Sequence, residues 1–514
     1  MNYMYFKTKG KEVIFNHSMI WLIVIGITGL VIRLFYLELD LPITLDGLGY
    51  FVYAFDITRI GHLPENYTPS NNGWPIFLSL FFSLSPFEKA IEFMQLQKFI
   101  SILLSTLTII PVYFLCRKFF QKSFSLIGAL IFALEPRIIQ NSLFGITEPL
   151  YIFLVVTSMV LFLSSKKFVF ISFAVASLAT ITRSEGIFLF FSLSILFFIK
   201  YRQDKVKTLI KYFIILSIFA LILLPIAIYK TDIHGEDRMF SRVNSGLEYQ
   251  LQENSVLIGI SNFIKFLGWS TIPLFIIFVP LGYILIFKEF NFKKLVLIIT
   301  TISLSMPALY AYSIPALDVR FLYSIYPIFC VVSLFSIKFF DKKISKQKIL
   351  IVLIIIGIIS SSIFFLEIKK SDHEYDLNSF IFAVNISEEI TGINQYYPED
   401  QYLSAAIVIK DWPNLNVSDR YGNIKTDFKI FQTNDYDSLE QFIRLNKDNG
   451  LSHLVIVDNN YLPTFLKIDE NEYSFLEKIE IKNNLKNNFN HKLYKINYEK
   501  FFKNLGKNNL NIIN

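Results

Sequence analysis

Before Lys370 the chain is a succession of apolar runs, many of them near the length of a bilayer crossing, divided by short clusters of Lys and Arg. A crossing needs about 20 apolar residues, and a backbone in hydrocarbon must satisfy its own hydrogen bonds, so such runs are constrained to be helices. Composition agrees: 53% of the residues are hydrophobic, 17% aromatic and 18% charged, where a soluble domain carries about 25% charged residues. From residue 370 onward the chain turns polar and rich in Asn and Lys. The expected fold is therefore an all-α polytopic membrane domain over residues 1–369, followed by a soluble α/β domain over residues 370–514.

The formal net charge of +7 does not point to nucleic acid. The basic residues gather between apolar runs, at Arg117/Lys118/Lys122, Lys166/Lys167, Lys200 to Lys211, Lys288 to Lys294 and Lys338 to Lys348, as cytoplasmic loops do. Lys7, Lys9 and Lys11 precede the first run, which places the N-terminus in the cytoplasm and Asp40, Asp46 and Asp56 outside. That run, Ile20 to Leu39, is too long for a signal-peptide core and lacks a small-residue cleavage site, so it is read as a retained span. Between successive basic clusters there is room for two crossings and an outer turn. The count is about eleven spans, with the C-terminal domain extracytoplasmic. The two cysteines, Cys116 and Cys330, lie in apolar runs and define neither a disulfide framework nor a metal spacing.

Under this topology the outer turns collect charge. They read Glu135 to Pro149 (EPRIIQNSLFGITEP), Thr182 to Gly186 (TRSEG), a longer loop from Lys230 to Lys265, and Ser313 to Phe321 (SIPALDVRF). Ionisable groups at a membrane exit are costly unless paired or functional, so the outer face is read either as a site or as a set of interfacial anchors. Asp46, Tyr50 and Tyr53 share a helical face, with Gly47 and Gly49 leaving the first turn uncrowded; Asp46 reads equally as a helix cap or as a catalytic acid. Asp56 and Arg59, three apart, read as a structural pair. Asn71 to Leu84 reads as a short helix at the interface. His62 and His234, the latter near Asp232, Glu236 and Asp237, have no spacing specific to a metal; a divalent metal stays an open option and no other cofactor is implied. The sequons at Asn16, Asn66, Asn385 and Asn416 are expected by chance in an Asn-rich chain.

In the C-terminal part, "AAIVIKDWP" and "LSHLVIVDN" read as buried strands, "YDSLEQFIRLNKDNG" as a helix closed by glycine, and "FNHKLYKINYEKF" as a last strand. There is no dinucleotide fingerprint, P-loop or nucleophile elbow.

Taken in order, the acid of the first outer loop, the Gly/Pro-marked interfacial helix, "TEPLY", "TRSEG" and "LDVRFLYSIYP" resemble the GT-C glycosyltransferases, and within them the branch of the protein O-mannosyltransferases and the lipid A aminoarabinose transferase. The resemblance runs to about Pro327. It implies a polyprenyl- or dolichyl-phosphate-linked sugar as donor, transferred with inversion on the extracytoplasmic side to a hydroxyl of a protein, lipid or glycan. It matches Asp46 to the catalytic acid and Arg320 to the arginine near the lipid phosphate, with Arg183 a further candidate there. Glu148 and Glu185 fall on recurrent motif positions, and Asp318 and Tyr50 accompany Arg320 and Asp46. Several relatives carry two adjacent acids in the first loop; here Asp46 is followed by Gly47. The chemistry fits the residue types: a carboxylate takes the proton of the attacking hydroxyl, and an arginine fork stabilises the departing phosphate.

Two other classes fit the sequence less well. A transporter would place charges at mid-membrane in two related halves, and a membrane scaffold would leave the charged exits unexplained. An oligosaccharyltransferase catalytic subunit would carry a W-W-D-Y-G-type motif in its outer domain, where Trp412 instead sits in "KDWPN".

Overall fold

The computed structural model describes residues 3–8, 11–65, 71–203, 205–234, 255–314, 316–343, 347–370, 373–389, 392–394, 400–410, 412, 429–431, 436–457, 473–479 and 491–510. Asn66, Asn416, Glu236, Asp237 and most of the loop between Lys230 and Lys265 lie outside these residues. The chain forms two compact units. The first comprises Met1–Leu37, Gly49–Ser85 and Gln95–Lys370, and the second comprises Glu38–Leu48, Pro86–Met94 and Ser371–Asn514.

The first unit opens with an antiparallel hairpin of β1 (Tyr3–Thr8) and β2 (Lys11–Asn16), Tyr3 opposite Asn16. Helices follow: α1 (His17–Phe35), α2 (Leu45–Ile60), α3 (Gly73–Phe82), α4 (Ala90–Leu107), α5 (Ile109–Arg117), α6 (Lys122–Ala133) and α7 (Pro136–Leu143). Then come α8 (Glu148–Phe162), α9 (Val169–Thr182), α10 (Gly186–Lys200), α11 (Lys205–His234), α12 (Ser255–Thr271), α13 (Phe278–Lys288) and α14 (Phe292–Ser313). A 3-10 segment, Val319–Ile325, leads into α15 (Tyr326–Lys343), and α16 is Gln347–Lys369. Among the described residues six helices are long and apolar enough to cross a membrane, or seven if the bent pair α6/α7 is one span, and α3, α8, α10 and α13 are shorter apolar helices. The break between α6 and α7 has a direct cause: Pro136 ends the hydrogen-bond run of α6, and Glu135 caps the next helix.

The bundle core is assembled pairwise, α8 on α9, α9 on α10, α5 on α6, α13 on α15 and α12 on α14. Aromatic edges interlock through it, as where Phe173 meets Phe162, Phe190 and Phe197. Cys116 and Cys330 are both free thiols buried in this core. One end of the bundle is tied by lysines: Lys118 Nζ donates to Ser164 Oγ at 2.7 Å, Lys200 Nζ to the Phe162 carbonyl at 2.9 Å, and Lys293 Nζ to the Lys118 carbonyl at 3.1 Å. The basic clusters that are far apart in sequence thus share one end.

The second unit has a five-stranded sheet in the order β4-β3-β5-β7-β6, with β3 (Gly392–Asn394), β4 (Lys429–Phe431), β5 (His453–Val457), β6 (Leu476–Ile479) and β7 (His491–Ile496). Strands β3, β4 and β5 pair in parallel and β5, β7 and β6 antiparallel. Its helices are α17 (His373–Glu389), α18 (Asp400–Lys410), α19 (Leu439–Asn446) and α20 (Tyr498–Leu510). Ser438 caps α19 through the backbone N–H of Gln441, and Gly450 closes the following turn at φ +100°. "LSHLVIVDN" holds β5 as expected. "AAIVIK" does not form a strand: it ends α18. Tyr402, Leu403, Ala405 and Ala406 are buried together, a helical rather than alternating period, and a short apolar run alone cannot tell the two apart. The last expected strand is split as well, with β7 giving way to α20 at Tyr498.

Buried His453 on β5 stands opposite Lys495 on β7. Burial, aided by the Lys495 charge, pulls its imidazole from 6.5 down to about 4. The unfolded chain therefore takes up a proton below about pH 6.5 that the folded unit refuses until about pH 4. Stability is full above the upper value and falls through that window. The urea midpoint of the second unit, followed in the full chain, should drop between pH 7 and pH 4.5, and His453→Gln should flatten that slope. An unchanged slope in the variant would assign it to other groups.

Candidate active site

At the end of the bundle away from the lysine ties, three turns and a helix start converge. Glu148 opens α8, with Pro149 in the first turn where its missing N–H costs nothing, and its side chain is buried. Arg183 and Glu185 lie in the tight turn between α9 and α10. That turn depends on Gly186, where a Cβ would come within 2.5 Å of the Thr180 nitrogen. Gly73, at the start of α3, lies as close on Thr182: a Cβ there would meet its backbone at 2.7 Å. Trp74 is fully buried beside it and donates to the Gly145 carbonyl at 2.9 Å, which also accepts from Gln97 at 2.6 Å. The interfacial helix read from the sequence is thus the wedge that fixes the two turns.

Arg183 binds both acids. Its Nη1 is 2.5 Å from Glu148 Oε1 and 3.2 Å from Thr147 Oγ1, and its Nη2 is 2.7 Å from Glu185 Oε1. The guanidinium also sits 5.9 Å from the Tyr151 ring. Arg320, in the 3-10 segment, pairs through Nε with Asp318 Oδ2 at 2.5 Å, and Asp318 caps that segment by accepting from the Arg320 backbone N–H at 2.8 Å. Arg320 keeps 34% of its side chain exposed against 12% for Arg183. Glu148, Tyr151, Ile152, Arg183, Glu185 and Arg320 line one small, partly open cleft together with Leu304, Pro307, Phe321 and Ser324.

The structure therefore brings together four of the sequence candidates, Glu148, Arg183, Glu185 and Arg320, with Asp318 on the last. Tyr50 joins through an unforeseen residue: Asn71 Nδ2 donates to the Tyr50 hydroxyl at 3.3 Å while its Oδ1 accepts from the Ser184 N–H at 3.3 Å. Asp46 lies in the exposed first turn of α2, one turn before Tyr50. The helix begins at Leu45, so Asp46 stands inside it rather than ahead of it.

Tyr151 is the clearest omission of the sequence reading. Its hydroxyl is buried in the cleft wall and has no hydrogen-bond partner among the described residues. A buried polar group left unpaired costs free energy, and a ligand oxygen in the cleft would relieve it. "EPLY" contains this tyrosine, but nothing in the sequence distinguished it from a core aromatic. His62 is exposed, with Nδ1 2.9 Å from the Leu63 carbonyl. Among the described residues no three His, Cys, Asp or Glu side chains are grouped as a metal site would need.

Residues 77–229 match the family model described as dolichyl-phosphate-mannose-protein mannosyltransferase. No curated protein matches the chain by sequence. Among solved structures, ArnT from Cupriavidus metallidurans bound to undecaprenyl phosphate is similar at a TM-score of 0.59 and 10% identity, over 92% of this chain and 98% of that one. The Archaeoglobus fulgidus oligosaccharyltransferase in its apo form is similar at 0.55 and 11% identity, over 85% of this chain and 69% of that one.

Proposed function

We infer that this chain, which belongs by fold to the GT-C superfamily of membrane glycosyltransferases, moves a sugar from a polyprenyl- or dolichyl-phosphate donor to a hydroxyl acceptor on a protein, lipid or glycan, with inversion. The observation that carries this reading is the cleft itself: an accessible arginine, two carboxylates and an unsatisfied tyrosine hydroxyl, gathered from separate turns at one end of an apolar bundle. An apolar tail can stay in lipid beside such a cleft while its phosphate meets the guanidinium. ArnT, whose structure holds undecaprenyl phosphate, has a similar fold, and that supports a lipid phosphate as the anion here.

In the proposed step the acceptor oxygen bonds to the anomeric carbon as the bond from that carbon to the phosphate oxygen breaks. The electron pair leaves on the phosphate, and the hydroxyl proton passes to a carboxylate. Asp46 is the proposed general base. Arg320 is the proposed phosphate ligand, with Arg183 behind it holding Glu148 and Glu185. Tyr50 and Asp318 position Asp46 and Arg320.

The reading takes α1, α4/α5, α6, α8, α9, α10, α11, α12/α13, α14, α15 and α16 as eleven crossings. The lysine-tied end then faces the cytoplasm and the cleft faces outward, with the N-terminus inside and the chain after residue 370 outside. Membrane lipid is the remaining partner, and nucleic acid is not one.

The test is a panel of labelled polyprenyl-phosphate sugars incubated with the purified full chain, reading transfer and donor hydrolysis. Turnover of none of them would overturn the assignment. Within it, Arg320→Ala should weaken binding of farnesyl phosphate by about 10- to 100-fold, because a hydrogen bond to a charged group contributes about 1.5–3 kcal/mol. Arg320→Lys should recover part of the loss, since an ammonium keeps the charge without the fork. Unchanged affinity in Arg320→Ala would remove the residue from the site.

A further inference from the structure

We propose that the second unit is the seat of the catalytic carboxylate, and that Leu41 and His373 are positioning residues for Asp46; this rests on Asp46 being the base, as argued above. The stretch that bears Asp46, Glu38–Leu48, is part of the second unit although more than three hundred residues separate it from that unit's main part, Ser371–Asn514. Leu41 is buried in the apolar core that holds Phe382 and Ile386 of α17 and Tyr402 of α18. His373, the first residue of α17, lies between two acids of the stretch, Nδ1 at 3.6 Å from Glu38 Oε1 and Nε2 at 3.1 Å from Asp40 Oδ2. A second stretch is gripped likewise: Trp412 Nε1 donates to the Glu88 carbonyl at 2.7 Å, and its ring meets Phe93 at 5.8 Å.

Backbone conformation adds an independent sign. Leu45, immediately before Asp46, has φ +51°, a left-handed conformation that a leucine adopts only when its surroundings impose it. Its own side chain is 67% exposed and cannot do so. The anchors on either side, Leu41 and Ile43 before it and Leu48 after it, are buried. The start of α2, and with it the direction of Asp46, is therefore set by packing within the second unit.

The test uses the full chain in detergent with Leu41→Ala, Leu41→Met and His373→Ala. Turnover of a labelled polyprenyl-phosphate sugar, affinity for farnesyl phosphate and hydrogen exchange of the peptide 38–48 are read on each. Leu41→Ala should lower kcat about tenfold or more, leave the farnesyl phosphate Kd within about twofold and speed exchange of the peptide; Leu41→Met should restore all three. His373→Ala, at a half-exposed site that folding tolerates, should lower kcat about threefold with Kd unmoved. Unchanged exchange in Leu41→Ala overturns the seating, as does a Kd that rises in step with the loss of kcat. Full turnover in Asp46→Asn with a loosened peptide in Leu41→Ala would instead sink the catalytic reading of Asp46 and leave the seating intact.

Discussion

Asp46→Asn is expected to stop transfer while the donor still binds: kcat falls by about 10²- to 10⁴-fold, the usual contribution of a positioned general base, and farnesyl phosphate affinity stays within about twofold. Asparagine keeps the size of the side chain in the first turn of α2 and removes only its capacity to take a proton. The competing carboxylates are already engaged by a cation. Glu148 and Glu185 both hold the Arg183 guanidinium, at 2.5 and 2.7 Å. Asp46 lies in the exposed first turn of α2. Transfer and donor-binding assays on the same preparation check the split. Turnover within threefold of wild type would move the base elsewhere, and Glu148→Gln and Glu185→Gln would then be the variants to measure.

Much of the bundle was legible because lipid imposes long apolar helices, and because "TEPLY", "TRSEG" and "DVRF" each put a charge where no soluble core explains it. What was illegible depends on contacts between distant residues. Asn71 joins Tyr50, 21 residues before it, to Ser184, 113 residues after it, and no local pattern encodes such a link. Tyr151 reads in sequence as any core aromatic; only the fold puts its hydroxyl in a wall of the cleft with no hydrogen-bond partner among the described residues. "AAIVIK" misled because its β-branched run continues a helix whose buried face begins at Tyr402. The sequence changes composition near residue 370, but the compact units do not follow composition alone. Residues 38–48 and 86–94 also belong to the second unit, which composition could not reveal because both stretches are short and adjoin apolar runs. Gly47, which follows Asp46, is buried. A carboxylate there would lose its hydration unless it gained a partner.

Arg183→Ala should destabilise the full chain by about 3–5 kcal/mol, the cost of leaving a buried carboxylate unpaired. The side chain of Glu148 is 5% exposed and that of Glu185 21%, so water can rehydrate neither acid fully, and the two would then repel each other. Thr147 Oγ1 would also lose a donor at 3.2 Å. If this strut reading holds, adding Glu148→Gln to Arg183→Ala recovers a large part of the loss, because removing both partners of a buried pair costs far less than removing one. A thermal or urea midpoint on wild type, both single variants and the double variant gives the coupling directly. Arg183→Lys should fall between, since a single ammonium cannot span two acids as the planar fork does. A phosphate ligand would behave in the opposite way. Arg183→Ala would then change the midpoint little and raise the farnesyl phosphate Kd as much as Arg320→Ala does. Three of the hydrogen bonds of Arg183 are already directed at Glu148, Glu185 and Thr147, which is why the strut outcome is the expected one.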